Sequence, residues 1–157
     1  MERDFEWTVQ KHFQDFIKSH NLPYEIFHNF PIEKGSKADL AVVCKGTSLK
    51  DVSEGKVKAE LVIEFKFEPS RHRTDFCIGK LDTAVVLWSE FVRDIERINR
   101  FIRDNRTKAA VSVLIDEFGR FKYQEISNES TWIDWGNFGD EKYNISILWT
   151  ALNEEST

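Results

Sequence analysis

Apolar residues at Phe5, Val9, Phe13, Phe16 and Ile17 keep the three- and four-residue spacing of an amphipathic helix, which predicts a helix over 4–19 stopped by Asn21 and Pro23. A short strand is expected over 24–30, ending at Pro31, and a more apolar one over 38–44, with the turn-like Glu33-Lys34-Gly35-Ser36 between them. Residues 45–58 are polar, with two glycines and four lysines, and read as an exposed connection with room for a hairpin. Over 60–68 the alternation is clean: Leu61, Ile63, Phe65 and Phe67 face one way, Glu60, Val62, Glu64, Lys66 and Glu68 the other. Pro69 ends that strand.

A longer helical stripe follows over 79–104, carried by Leu81, Val85, Trp88, Val92, Ile95, Ile98 and Ile102. The continuous β-branched run over 109–115 has the pattern of a strand buried on both faces, and so should be central in a sheet. After Phe118-Gly119 the pattern leaves room for an edge hairpin partner, then a segment bearing Trp132 and Trp135, then a last strand over 143–149.

With 157 residues, 41% hydrophobic and 13% aromatic, the chain is expected to form one α/β domain over 1–157 with a real core. No run approaches the roughly 18 apolar residues of a membrane span, and the charged start over 1–5 lacks a signal-peptide core, so a cytoplasmic protein with no membrane partner is expected. Cys44 and Cys77 lack CxxC spacing and the four histidines form no zinc pattern, which argues against a zinc site or a disulfide framework. The net charge of −5 argues against permanent coating of nucleic acid. Its distribution is uneven: residues 34–80 carry ten basic against seven acidic side chains, the remainder twelve against twenty.

The chemistry-bearing residues lie in that basic part, as Lys37-Ala38-Asp39-Leu40 on the second strand and Val62-Ile63-Glu64-Phe65-Lys66 on the third. Composition alone supplies about two acid-x-Lys matches, and three occur. Glu54/Lys56 and Asp140/Lys142 fall in polar connections, whereas Glu64/Lys66 sits inside an alternating strand, so position rather than the tripeptide carries the information. An acidic residue on one strand and (D/E)-x-K on the next, in the order helix, three strands, helix, strand, resembles the PD-(D/E)XK nuclease superfamily over about residues 4–115. Ala38 stands where that pattern often has proline.

The resemblance implies a restriction-endonuclease-like core: a mixed central sheet flanked by helices, in the order αβββαβ plus a C-terminal strand. It implies an Mg²⁺- or Mn²⁺-dependent nuclease with Asp39, Glu64 and the Phe65 carbonyl as metal ligands and Lys66 as the residue that positions water or stabilises phosphate charge. A strand's period of two puts Glu64 and Lys66 on one face, about 7 Å apart, so they can serve one site. Members often add a glutamate from the first helix; Glu6 is similar to that position, with Glu2, Gln10 and Asp15 as alternatives. Lys37, Arg71, Arg73 and Lys80 are expected to grip phosphates of a DNA substrate, and His72 lies between the two arginines. A homodimer is a further expectation, since double-strand cutting needs two sites.

Each of these residues has an ordinary alternative. Asp39 also suits a turn carboxylate, Glu64 with Lys66 a solvated cross-strand pair, Glu6 a carboxylate favoured at a helix N-terminus, and Arg71 to Arg73 a solvated turn. At the level of function the alternative is a catalytically silent nuclease-fold protein that binds nucleic acid or another protein. An interaction protein using the tryptophan-bearing end has least support.

Overall fold

The computed structural model describes residues 2–69, 86–117, 119–137 and 144–153. Among these residues it is an α/β structure with a mixed six-stranded sheet and three helices: α1 (Glu2–Ser19), β1 (Tyr24–Glu33), β2 (Ser36–Cys44), α2 (Leu49–Ser53), β3 (Ala59–Glu68), α3 (Trp88–Arg103), β4 (Thr107–Asp116), β5 (Ser130–Asn137) and β6 (Asn144–Asn153). The strand order is β1-β2-β3-β4-β6-β5, and only β3 and β4 run parallel. A parallel pair needs a crossover, and α3 supplies it.

β1 and β2 form a tight hairpin, Glu33 pairing with Ser36 across Lys34-Gly35, where Gly35 takes φ +82°. β1 runs through Pro31, past the end the sequence predicts. Because β1 is the edge strand, the missing proline N–H need not break the ladder, and the register slips only between Pro31 and Glu33.

Helices cover both faces of the sheet. On one, Phe5, Val9 and Phe13 of α1 pack against Leu40, Ile63 and Phe65, with Phe5 edge-on to Phe65 at 5.4 Å. On the other, Ile98, Phe101 and Ile102 of α3 join Ala41, Val43, Val62 and Ala110, while Phe91 packs with Leu114, Phe121 and Leu148. Both faces of β3 are therefore buried at its middle, Glu64 included. Glu90 accepts the Leu87 N–H at 3.0 Å, which satisfies one free donor at the start of α3.

Three further segments differ from the sequence reading. The helix expected over 79–104 begins at Trp88, after an extended Leu87, and residues 79–85 lie outside the described residues. The connection over 45–58 carries the short helix α2 rather than a hairpin, and its Val52 is fully buried in the core. Leu49, Val52 and Val57 are the apolar residues among the four lysines, too few to set a detectable period. The partner of the last strand is the tryptophan-bearing segment itself, β5, whereas the residues just after Gly119 form turns. In β5, Trp132 packs against the Phe91 cluster while Trp135 is exposed, as Trp149 of β6 also is.

Val52→Ala is expected to lower stability by about 2 kcal/mol, the loss of two buried methyl groups with partial collapse around them. Urea unfolding checks this; a midpoint unchanged from wild type would mean that α2 is not part of the core.

Candidate active site

The β2–β3 ladder pairs Val42 with Leu61, Ala41 with Val62 and Leu40 with Ile63. At the next step a side chain replaces a backbone partner: the Phe65 N–H donates to Asp39 Oδ2 at 2.8 Å. Asp39 thus sits where the two strands part. In neighbouring β1, Asn29 has φ +51° between the pairs His28–Leu40 and Phe30–Ala38, a conformation asparagine tolerates better than most residues.

Glu64 is fully buried. Arg97 of α3 holds it with both arms, Nε donating to Oε1 at 3.1 Å and Nη2 to Oε2 at 2.5 Å. Arg97 Nη2 also lies 2.9 Å from Asp94 Oδ1, one turn back along α3. Asp94 Oδ2 in turn pairs with Lys66 Nζ at 3.1 Å, and Lys66 also donates to the Phe65 carbonyl at 3.3 Å. Glu64 and Lys66, two residues apart on one face of β3, are thus joined through Arg97 and Asp94.

Among the described residues, three carboxyl groups (Asp39, Glu64 and Asp94) face two cations, Arg97 and Lys66, so with every group ionised negative charge would exceed positive by one. Burial raises the Glu64 carboxyl from 4.5 to about 8, and the charges of Asp39 and Asp94 push the same way; Arg97 opposes them. For Arg97, burial works against its charge, but Glu64 and Asp94 outweigh that and raise its pKa. A guanidinium one-third exposed and shared between two acids does not fully neutralise either.

Beside Glu64 in the β3–β4 register is Ser112, whose buried Oγ has no hydrogen-bond partner among the described residues. Ser112 pairs with Thr150, and Thr150 with Ser130, whose hydroxyls meet at 2.6 Å. A buried polar row therefore crosses β3, β4, β6 and β5 from Glu64.

The remaining sequence candidates fall elsewhere. Glu6 is buried on α1 and forms a close hydrogen bond with His28 Nε2 of β1, and the exposed Trp7 ring stacks on that imidazole at 5.4 Å. The contacts of Glu6 thus lead to β1 rather than to Glu64. Gln10 is also buried, its Oε1 without a hydrogen-bond partner among the described residues; Asp15 is exposed, and the Glu2 side chain lies outside what is described. Lys37 is exposed on β2, two residues before Asp39. Arg71, His72, Arg73 and Lys80 lie outside the described residues. Glu68, at the end of β3, accepts the Val86 N–H at 2.9 Å and Arg120 Nη1 at 3.1 Å, contacts that tie chain segments together.

Sequence reasoning missed Arg97 and Asp94. The buried side of α3 runs Phe91, Asp94, Ile98 and Phe101, so an aspartate at a core position of the helical period was the available signal.

Among the described residues, no group of three or more His, Cys, Asp or Glu side chains is arranged to hold a metal ion. The donors near Asp39 are two carboxylates and the Phe65 carbonyl, a hard, all-oxygen set that suits Mg²⁺, an ion that keeps several of its waters. The mutual repulsion of these carboxyl groups, which helps to raise Glu64, is of the kind a divalent cation relieves. Comparison of the chain with protein families, with curated proteins and with solved structures found no match.

Proposed function

We propose that this chain is a metal-dependent nuclease of the PD-(D/E)XK type that hydrolyses phosphodiester bonds in DNA. The observation that carries the reading is the placing of Asp39, Glu64 and Lys66 around the point where β2 and β3 part, where crowded carboxyl groups raise the pKa of the buried Glu64. Asp39, Glu64 and the Phe65 carbonyl would hold Mg²⁺ or Mn²⁺, which when bound supplies Lewis acidity toward the scissile phosphate and lowers the pKa of a bound water. Lys66, oriented by Asp94 and the Phe65 carbonyl, places an ammonium beside that centre, where it orients the attacking water and offsets charge growing on the phosphate. The restriction-endonuclease-like core and cytoplasmic location belong to the same proposal. No helix among the described residues is long and apolar enough to cross a membrane.

A second reading, a catalytically silent protein of this fold that binds nucleic acid or a protein, draws on one observation: Arg97 engages both oxygens of Glu64 and Asp94 engages Lys66, a closed network. Plasmid DNA separates the two. The nuclease reading expects nicking or linearisation with Mg²⁺ or Mn²⁺ and none with EDTA. Cleavage indifferent to chelation would rule out the mechanism, and intact plasmid with either ion would favour the silent protein. Double-strand cutting would also call for a homodimer, and sedimentation showing only monomer would count against that part.

A further inference from the structure

The forked grip of Arg97 on Glu64 has a consequence for any ion that enters this site. Both Glu64 oxygens already accept hydrogen bonds from the guanidinium, so a cation that takes Glu64 as a ligand must share the carboxylate and its charge with Arg97. The same two positive groups would also repel each other across a buried carboxylate, where water screens little. Arg97 has somewhere to go: Asp94, three residues back on α3, already holds Nη2 at 2.9 Å, and the arginine side chain is one-third exposed. A guanidinium can turn about that contact toward solvent without losing its remaining partner.

We propose that Arg97 is the resident counter-cation of Glu64 and competes with the divalent ion for it, so that metal entry moves the guanidinium from Glu64 onto Asp94. This rests on the reading of Asp39 and Glu64 as metal ligands. It makes Arg97 a positioning residue. The arginine stabilises the metal-free site and weakens its affinity for the ion. Thermodynamic linkage makes the effect reciprocal: whatever Arg97 takes from metal affinity, the metal takes from the Arg97–Glu64 contact.

Two measurements on the full chain test this, with Mg²⁺ or Mn²⁺ as the only added ligand. In calorimetric titration, Arg97→Gln should bind Mn²⁺ at least about tenfold more tightly than wild type, the size of an ordinary coupling between linked sites. Arg97→Lys, which keeps the charge but loses the fork, should fall between them. The second measurement needs no variant at position 97 and so stands even if those chains fold poorly. The side-chain Nε–H resonance of Arg97 should be protected from exchange in the metal-free protein and lose that protection when Mg²⁺ is added, and it should not respond to Mg²⁺ in Asp39→Asn. Equal or weaker Mn²⁺ binding by a folded Arg97→Gln, or an Arg97 resonance unmoved while Mg²⁺ binds at Asp39, would overturn the competition and leave the metal site standing. Absence of binding by wild type and variants alike would overturn both the competition and the metal site beneath it.

Discussion

Lys66→Ala is expected to lower metal-dependent DNA cleavage by about two to three orders of magnitude, the usual result of removing one preorganised group that stabilises transition-state charge. The lysine lies on the same face of β3 as Glu64 and is held by Asp94 at 3.1 Å and by the Phe65 carbonyl at 3.3 Å, so its ammonium is oriented before substrate arrives. It is not among the oxygen donors, so the rise in melting temperature caused by Mg²⁺ should persist in the variant. That split between lost rate and retained metal response separates a catalytic lysine from one that merely holds the sheet and helix together. Lys56→Ala is the matched control: Lys56 belongs to another acid-x-Lys tripeptide but is an exposed residue paired with Glu54 at 2.7 Å, and its loss should leave cleavage unchanged. Cleavage by Lys66→Ala at the wild-type rate would remove Lys66 from the mechanism.

The alternation over 60–68 was enough to place Glu64 and Lys66 on one face of β3, and the apolar run over 109–115 was enough to place β4 at the middle of the sheet, though not to name β3 as its neighbour. What alternation does not carry is depth. A strand that is polar on one face reads as half-solvated, yet Glu64 is fully covered because α3 packs over it and Arg97 offsets part of its charge. Arg97 and Asp94 are distant in sequence from the motif and reach it only through the crossover helix, a relation no local period encodes. The first helix shows the same limit from the other side. Its apolar spacing gave the helix correctly, but the partner of Glu6 depends on how α1 lies across the sheet, and that placement sets it against His28.

The metal-free protein should lose stability as pH rises from about 4.5 to about 8, and Glu64 should be the cause. The sign follows from where the proton sits. Burial and the neighbouring acids raise the folded-state pKa of Glu64 above its unfolded value, so in that window the folded chain retains a proton that the unfolded chain has released. The resulting stability is complete below the lower value and gone above the higher one. A full pKa unit corresponds to about 1.4 kcal/mol, which sets an upper limit of about 5 kcal/mol, less whatever the site recovers by rearranging around the ionised group. Urea melts in EDTA across this range check it by difference, since Glu64→Gln should remove that slope while leaving the contribution of every other titrating group. Asp39→Asn then tests whether the repulsion is the one inferred. An asparagine Oδ1 can still accept the Phe65 N–H, so the change removes charge at nearly constant shape. Near pH 5, where Glu64 is protonated, it should be close to neutral. Near pH 9, where Glu64 has lost its proton, it should stabilise the protein by about 0.5–2 kcal/mol, as relaxing a functional site commonly does. An effect of Asp39→Asn that is the same at both pH values would mean that the charge of Asp39 does not act on Glu64, and the two would no longer belong to one site.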